Sequence, residues 1–173
     1  GLDSNLRYVV CYSAKNLVNG RFKGDVIKMA DPDSLGAHWV LERPKVFYNR
    51  KTKKYVMYMH IDNRSYKVAQ VGIAVSDKPD GEFRFIKRFR PLGHESRDIG
   101  QFIDDDGTAY LVLEDRHVGF SSAKLSADYM EVEKQVSIVP AHMEGGGVGN
   151  GKNQRASRGP VRNDGRASRQ KSE

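Results

Sequence analysis

The sequence predicts an all-β chain assembled from a repeated unit of about four strands. Two observations carry that expectation. Short β-branched and aromatic runs alternate with turn clusters, and no apolar pattern holds the helical 3.6-residue period through ten residues. The chain also repeats itself. With Phe47 set on Phe102, an offset of 55 residues, Phe-Tyr-Asn-Arg-Lys-Thr-Lys-Lys-Tyr-Val-Met-Tyr matches Phe-Ile-Asp-Asp-Asp-Gly-Thr-Ala-Tyr-Leu-Val-Leu, and Tyr55 falls on Tyr110.

In chain order, strands are expected at Tyr8–Tyr12, Asp25–Lys28, Lys45–Tyr48, Tyr55–Ile61, Ala69–Val75, Phe83–Ile86, Ile99–Ile103, Ala109–Glu114, Gly119–Lys124 and Glu131–Val139. The run Tyr55–Ile61 is almost continuously apolar, the form of a strand buried on both faces. It pairs with Lys45–Tyr48 around the polar turn Asn49–Lys54. Pro44 is expected to open that hairpin, where its missing N–H removes no ladder bond, leaving Glu42-Arg43 at the strand mouth. Taken alone, Glu42 and Arg43 read as a surface ion pair, worth roughly 0–1 kcal/mol. Asn19-Gly20, Asp80-Gly81 and Asp106-Gly107 are turn signals.

A second motif follows each hairpin: Gly72-Ile-Ala-Val-Ser-Asp-Lys-Pro-Asp-Gly-Glu-Phe, then Ser121-Ser-Ala-Lys-Leu-Ser-Ala-Asp-Tyr-Met-Glu-Val, with a looser copy starting at Cys11. A hairpin plus an outer strand pair is the sequence form of a β-propeller blade. An ordinary antiparallel sandwich is the alternative.

At 173 residues and 38% apolar content the chain can bury one real core. The +7 charge is uneven: residues 151–173 hold seven Lys/Arg against Asp164 and Glu173, a net +5, which leaves +2 for residues 1–150. Cys11, alone, forbids an intramolecular disulfide and reads as a buried, inert thiol. No run approaches membrane-spanning length and no signal peptide is present. The start at Gly1, inside a strand-forming region, implies a missing N-terminus.

Several motifs occur together in order: Glu42-Arg43-Pro44-Lys45-Val46, Tyr-Val-Met-Tyr-Met-His, Ala74-Val-Ser-Asp-Lys-Pro-Asp-Gly-Glu-Phe, Ser96-Arg97-Asp98, and Asp104-Asp-Asp-Gly-Thr-Ala-Tyr-Leu. From about Leu6 to Gly146 they resemble glycoside hydrolase family 43, most closely its exo-β-1,3-galactanase-like branch, truncated here at both ends. The resemblance implies a partial five-bladed β-propeller over residues 1–146, with about two complete blades and the edges of two more. It also implies inverting hydrolysis of β-galactan, arabinan or related plant polysaccharide side chains, without a cofactor or metal.

Inversion needs a protonated carboxyl on the leaving oxygen and a second group that activates water from the opposite face, roughly 6.5–9.5 Å apart. By resemblance, Glu144 in Ala141-His-Met-Glu-Gly-Gly is the general acid, and Asp98 orients it and holds its pKa up. Glu42 accepts a substrate hydroxyl, Tyr66 is a second sugar contact, and Arg97 positions carboxylates. Read without the resemblance, Asp98 is a turn or cap residue and Glu144 a solvated loop residue. The family's catalytic base has no match in this chain, so weak or absent activity is expected of the chain alone. A non-catalytic carbohydrate- or protein-binding propeller is the competing function. An extracellular or periplasmic location follows only from the resemblance.

Residues 147–173 form a basic Gly/Arg/Ser-rich tail, and from Gly149 onward only Ala156, Val161 and Ala167 are apolar, too few to offset chain entropy. Disorder is expected there. Gly146-Gly-Val-Gly-Asn-Gly-Lys-Asn nearly spells a phosphate loop, but Asn153 stands where Ser/Thr would hold magnesium, and Gly159-Pro160 prevents a following helix. With no aromatic residue to stack bases, the tail offers nucleic acid only non-specific attraction. His38, His60, His94, His117 and His142 lack close ligand spacing, which argues against a zinc site. The abrupt change after Gly146 suggests a frame-shifted or truncated reading frame. Translating the other frames downstream should then recover blade-like strands; if none continues them, that explanation fails.

Overall fold

A computed structural model describes residues 8–28 and 39–140. The chain divides into two units, Gly1–His142 and Met143–Glu173. The second unit, with Glu144 and the basic tail, lies outside the described residues. Ten strands and no α-helix occur among the described residues: β1 (Tyr8–Ser13), β2 (Arg21–Lys28), β3 (Trp39–Asn49), β4 (Lys54–Asn63), β5 (Gln70–Ser76), β6 (Arg84–Phe89), β7 (Ile99–Ile103), β8 (Ala109–Asp115), β9 (Gly119–Leu125) and β10 (Val132–Pro140). They form three antiparallel meanders, β1-β2, β3-β4-β5-β6 and β7-β8-β9-β10. A 3₁₀ turn at Pro91–Gly93 links the last two.

The middle sheet is covered on both faces, and β4 supplies most of the reason. Its side chains alternate between two cores. Met57, Met59 and Ile61 join Val26 and Ile27 of β2 with Leu41, Ala74 and Phe83. Val56 and Tyr58 join Phe47, Val71 and Ile73 against Ile99, Leu111, Leu113, Ala123 and Leu125 of the third sheet. The apolar run therefore meets no solvent face, as its composition requires. Phe47 packs edge-on against Tyr58 at 5.9 Å and at a tilt of 58° against Tyr129 at 5.7 Å. The Tyr58 hydroxyl is buried and donates to the Tyr129 carbonyl at 2.9 Å, while burial drives its pKa well above the ordinary phenol range.

Three local expectations need correction. Pro44 does not open its strand: β3 begins at Trp39, and Glu42, Arg43 and Pro44 lie inside it. Glu42 pairs with His60 and Lys45 with Tyr58, so Arg43 and Pro44 together oppose Met59 in a β-bulge, which tolerates the missing proline N–H.

The repeat is also one residue out of step on its first strand. Tyr48 pairs with Tyr55 (ring centroids 4.8 Å) and Phe102 with Tyr110 (6.2 Å), so Phe102 corresponds to Tyr48 rather than Phe47. A one-residue slip reverses the faces, and accordingly Phe47 is 1% exposed and Phe102 55%. The extra residue is absorbed in the turn between β7 and β8. There Asp104 N–H donates to the Thr108 carbonyl at 2.8 Å, and Gly107 takes φ +84°. Finally, Cys11 is only half-buried on β1.

Gly72 on β5 shows how tightly the first core closes. A methyl group placed there would meet Ile61 Cγ1 at 2.7 Å and Met59 Cγ at 3.2 Å. Gly72→Ala should cost about 1–3 kcal/mol through overpacking, read as a lowered urea midpoint. Adding Ile61→Ala should recover part of that loss relative to the sum of the two single changes.

Candidate functional site

The open end of the β3–β4 hairpin, away from its turn, gathers four of the five residues singled out in the sequence. Local sequence explains how. The bulge puts Arg43 in the left-handed region (φ +53°), turning its side chain away from the regular alternation. β4 then ends in Asp62-Asn63, and the chain makes a polar turn before β5, with Tyr66 N–H donating to the Asn63 carbonyl at 2.9 Å. Tyr66 (φ +52°) and Ala69 (φ +45°) are also left-handed, so this connection is held in an uncommon shape.

On that frame the Tyr66 hydroxyl donates to Glu42 Oε1 at 2.8 Å. This bond to Glu42, helped by partial burial, raises the Tyr66 pKa, because losing the proton would set phenolate against carboxylate. The Tyr66 ring stacks on His60 with centroids 6.4 Å apart and an interplanar angle of 13°. Arg43 Nε pairs with Asp98 Oδ1 at 2.6 Å, and both side chains are about half exposed. Arg43 thus reaches the connection entering the third sheet rather than pairing locally with Glu42. Asp98 itself is fixed through its backbone, its carbonyl accepting from Glu114 N–H at 3.0 Å.

Arg97 lies beneath this rim, with only 13% of its side chain exposed. It donates to the Tyr66 carbonyl at 3.0 Å and to Glu95 Oε2 at 3.2 Å, and it approaches Asp62 Oδ2 at 3.5 Å. Glu144, the fifth residue, is outside the described residues, so its distance from Asp98 is not part of this geometry.

The sequence reading missed Asp62 and undervalued His60. Asp62 is fully buried, and its Oδ1 accepts N–H bonds from Asn63 and Val68, both at 2.8 Å. His60 donates from Nδ1 to the Ser96 carbonyl at 2.7 Å and turns Nε2 towards Asp62 Oδ2 at 3.3 Å. The available signal was an Asp-Asn pair directly after an apolar strand, the mark of an Asx turn. Among the described residues no group of three or more His, Cys, Asp or Glu could hold a metal. No helix among them is long and apolar enough to cross a membrane. A cavity of about 960 Å³ lies at the other end of the hairpins, lined by turn residues such as Arg50, Lys51, Asp104 and Asp106, and shares no residue with this rim.

The arrangement offers an acceptor (Glu42), a partly exposed aromatic edge (Tyr66) and a carboxylate held by a cation (Asp98 with Arg43) on adjoining elements. Such a surface suits a polyhydroxylated ligand. Glu42→Gln should bring the Tyr66 titration down towards that of a free phenol, measured on ¹³C-tyrosine-labelled protein. Any stability the contact gives is present below pH about 10 and fades as pH rises through the raised pKa.

Comparison with known proteins bears on the family of the chain. The sequence model of Glycosyl hydrolases family 43 matches residues 3–160, extending beyond Gly146 where the resemblance was expected to stop. No curated protein sequence matches the chain. Among solved structures, an exo-β-1,3-galactanase from Phanerochaete chrysosporium, crystallised with galactose, is 36% identical with a TM-score of 0.75, over 79% of this chain and 33% of that one. A putative exo-β-1,3-galactanase from Bifidobacterium bifidum is 37% identical, TM-score 0.74, over 77% of this chain and 44% of that one. An exo-β-1,3-galactanase from Clostridium thermocellum is 35% identical, TM-score 0.72, over 77% and 32%. The chain thus spans 32–44% of the length of these relatives. With the ordered motifs, the three all-β meanders and a family match across most of its length, this chain belongs to glycosyl hydrolases family 43.

Proposed function

We propose that the chain is part of a glycosidase catalytic domain that hydrolyses β-galactan, or a related arabinan or plant polysaccharide side chain, with inversion at the anomeric carbon. Its sheets would be blades of a five-bladed propeller, working on polysaccharide outside the cell or in the periplasm. The observation that carries the reading is the Tyr66–Glu42 hydrogen bond on the rim shared with Asp98. Similarity to galactanases favours a galactoside over the other sugars.

In this reading Glu42 accepts a sugar hydroxyl and Tyr66 borders the ring. Arg97 fixes the carbonyl of Tyr66 from below. Asp98 orients Glu144 and, by like charge, keeps that carboxyl protonated at neutral pH. Glu144 passes its proton to the glycosidic oxygen as the bond from that oxygen to the anomeric carbon breaks. Water adds to the opposite face and gives its proton to a base, leaving a hemiacetal of inverted configuration.

The test extends the chain by its neighbouring coding sequence and compares wild type with Glu144→Gln on β-1,3-galactan. Loss of turnover by about 10²–10⁴-fold with binding retained is the expected result. Binding without turnover in either protein would instead assign a non-catalytic carbohydrate-binding role.

A further inference from the structure

We propose that Asp62 is the positioning residue of the Tyr66–Glu42 pair, fixing where the tyrosine hydroxyl sits without itself reaching the ligand. The inference rests on the functional reading above only in taking that pair as a sugar contact. Three separate restraints on Tyr66 lead back to this one carboxylate. The first is backbone: Oδ1 accepts N–H bonds from Asn63 and Val68, pinning both ends of the segment that carries Tyr66. The second is cationic: Oδ2 faces Arg97, whose guanidinium holds the Tyr66 carbonyl. The third is packing: Asp62 Oδ2 lies 3.3 Å from His60 Nε2 without a hydrogen bond, and the His60 ring, held by the Ser96 carbonyl, lies stacked on that of Tyr66.

Physical chemistry explains why a carboxylate is needed. Asp62 is 0% exposed, and a buried charge persists only when paired and hydrogen-bonded. Here Oδ1 holds two backbone N–H groups of the rim, while Oδ2 makes no hydrogen bond and is met by the Arg97 guanidinium at 3.5 Å. The left-handed conformations of Tyr66 and Ala69 are costly and last only where surrounding contacts over-determine them. Asparagine in place of Asp62 has nearly the same shape and can still accept through its oxygen. It removes the charge, and if the amide N–H₂ takes the place of Oδ2 it stands against the donors of Arg97. The change therefore separates charge from packing.

The test uses the full 173-residue chain labelled with ¹³C-tyrosine, the Tyr66 signal being assigned among the eight tyrosines with Tyr66→Phe. Wild type, Glu42→Gln and Asp62→Asn are titrated to alkaline pH, and galactose binding is measured on each. The Asp62 charge by itself raises the Tyr66 pKa less than the Glu42 bond does, so its loss alone gives only a small fall. Positioning predicts, in Asp62→Asn, a fall as large as in Glu42→Gln together with a galactose Kd about tenfold higher, as for one lost hydrogen bond. A small fall with unchanged Kd overturns it. A Tyr66 titration unchanged from wild type in a folded Asp62→Asn overturns the proposal. If the Tyr66 titration follows Asp62 but wild type does not bind galactose, the positioning stands and the sugar reading falls. Should Asp62→Asn not fold, Arg97→Gln removes the hold on the Tyr66 carbonyl instead, and an unchanged titration there overturns the proposal equally.

Discussion

The rest of the structure depends on β4 having no solvent-facing side. A strand enclosed by two cores keeps apolar residues at nearly every position, and any polar group at its end must find partners within the protein. His60 and Asp62 are those groups, both almost wholly buried. His60 bonds to the Ser96 carbonyl, and Asp62 Oδ2, which has no hydrogen bond, lies 3.5 Å from the Arg97 guanidinium, both on the connection that precedes β7. These contacts from the end of β4 hold the start of the third sheet against the second, and Asp98 follows directly, beside Arg43. Core packing and the placement of the rim carboxylates are one event.

The rim and its base have different electrostatic characters. Arg43 and Asp98 are half exposed, so their contact is screened and worth roughly 0–1 kcal/mol despite its short distance. Arg97, Glu95 and Asp62 are largely shielded, where removing one member leaves an uncompensated charge. The rim contacts can therefore be exchanged at small cost while the layer below stays fixed. The proposed sugar contacts would need this division, because exposed hydrogen bonds are replaced on binding while the geometry must not drift.

Much of the fold was legible because strands and turns carry short-range signals. The continuous apolarity of Tyr55–Ile61 announced double burial, and the 55-residue repeat with Asn-Gly and Asp-Gly turns marked the hairpins. What was not legible depends on long-range fit. The bulge at Arg43-Pro44 exists to keep Glu42 opposite His60 and Lys45 opposite Tyr58, a register that local sequence does not specify. The slip between Phe47 and Phe102 is hidden because both are phenylalanine and only their faces differ. Glu42, Tyr66, Arg97 and Asp98 were found through the family likeness, since no spacing rule unites residues so far apart in the chain. Asp62 escaped because an aspartate after a strand looks the same whether it caps a turn in water or anchors a buried charge.

Asn49 joins the two large sheets by a different device. It is 1% exposed; its oxygen accepts from Lys51 and Thr52 N–H at 3.0 and 2.9 Å, and its nitrogen donates to the Ala127 carbonyl at 2.9 Å. These partners settle the amide's orientation, since a flip would oppose like with like at every contact. Hydrolytic ageing of that amide to an acid would therefore not be silent. The turn would still close, but an oxygen would face the Ala127 carbonyl where a donor now stands, and the tether across 78 residues would become a repulsion.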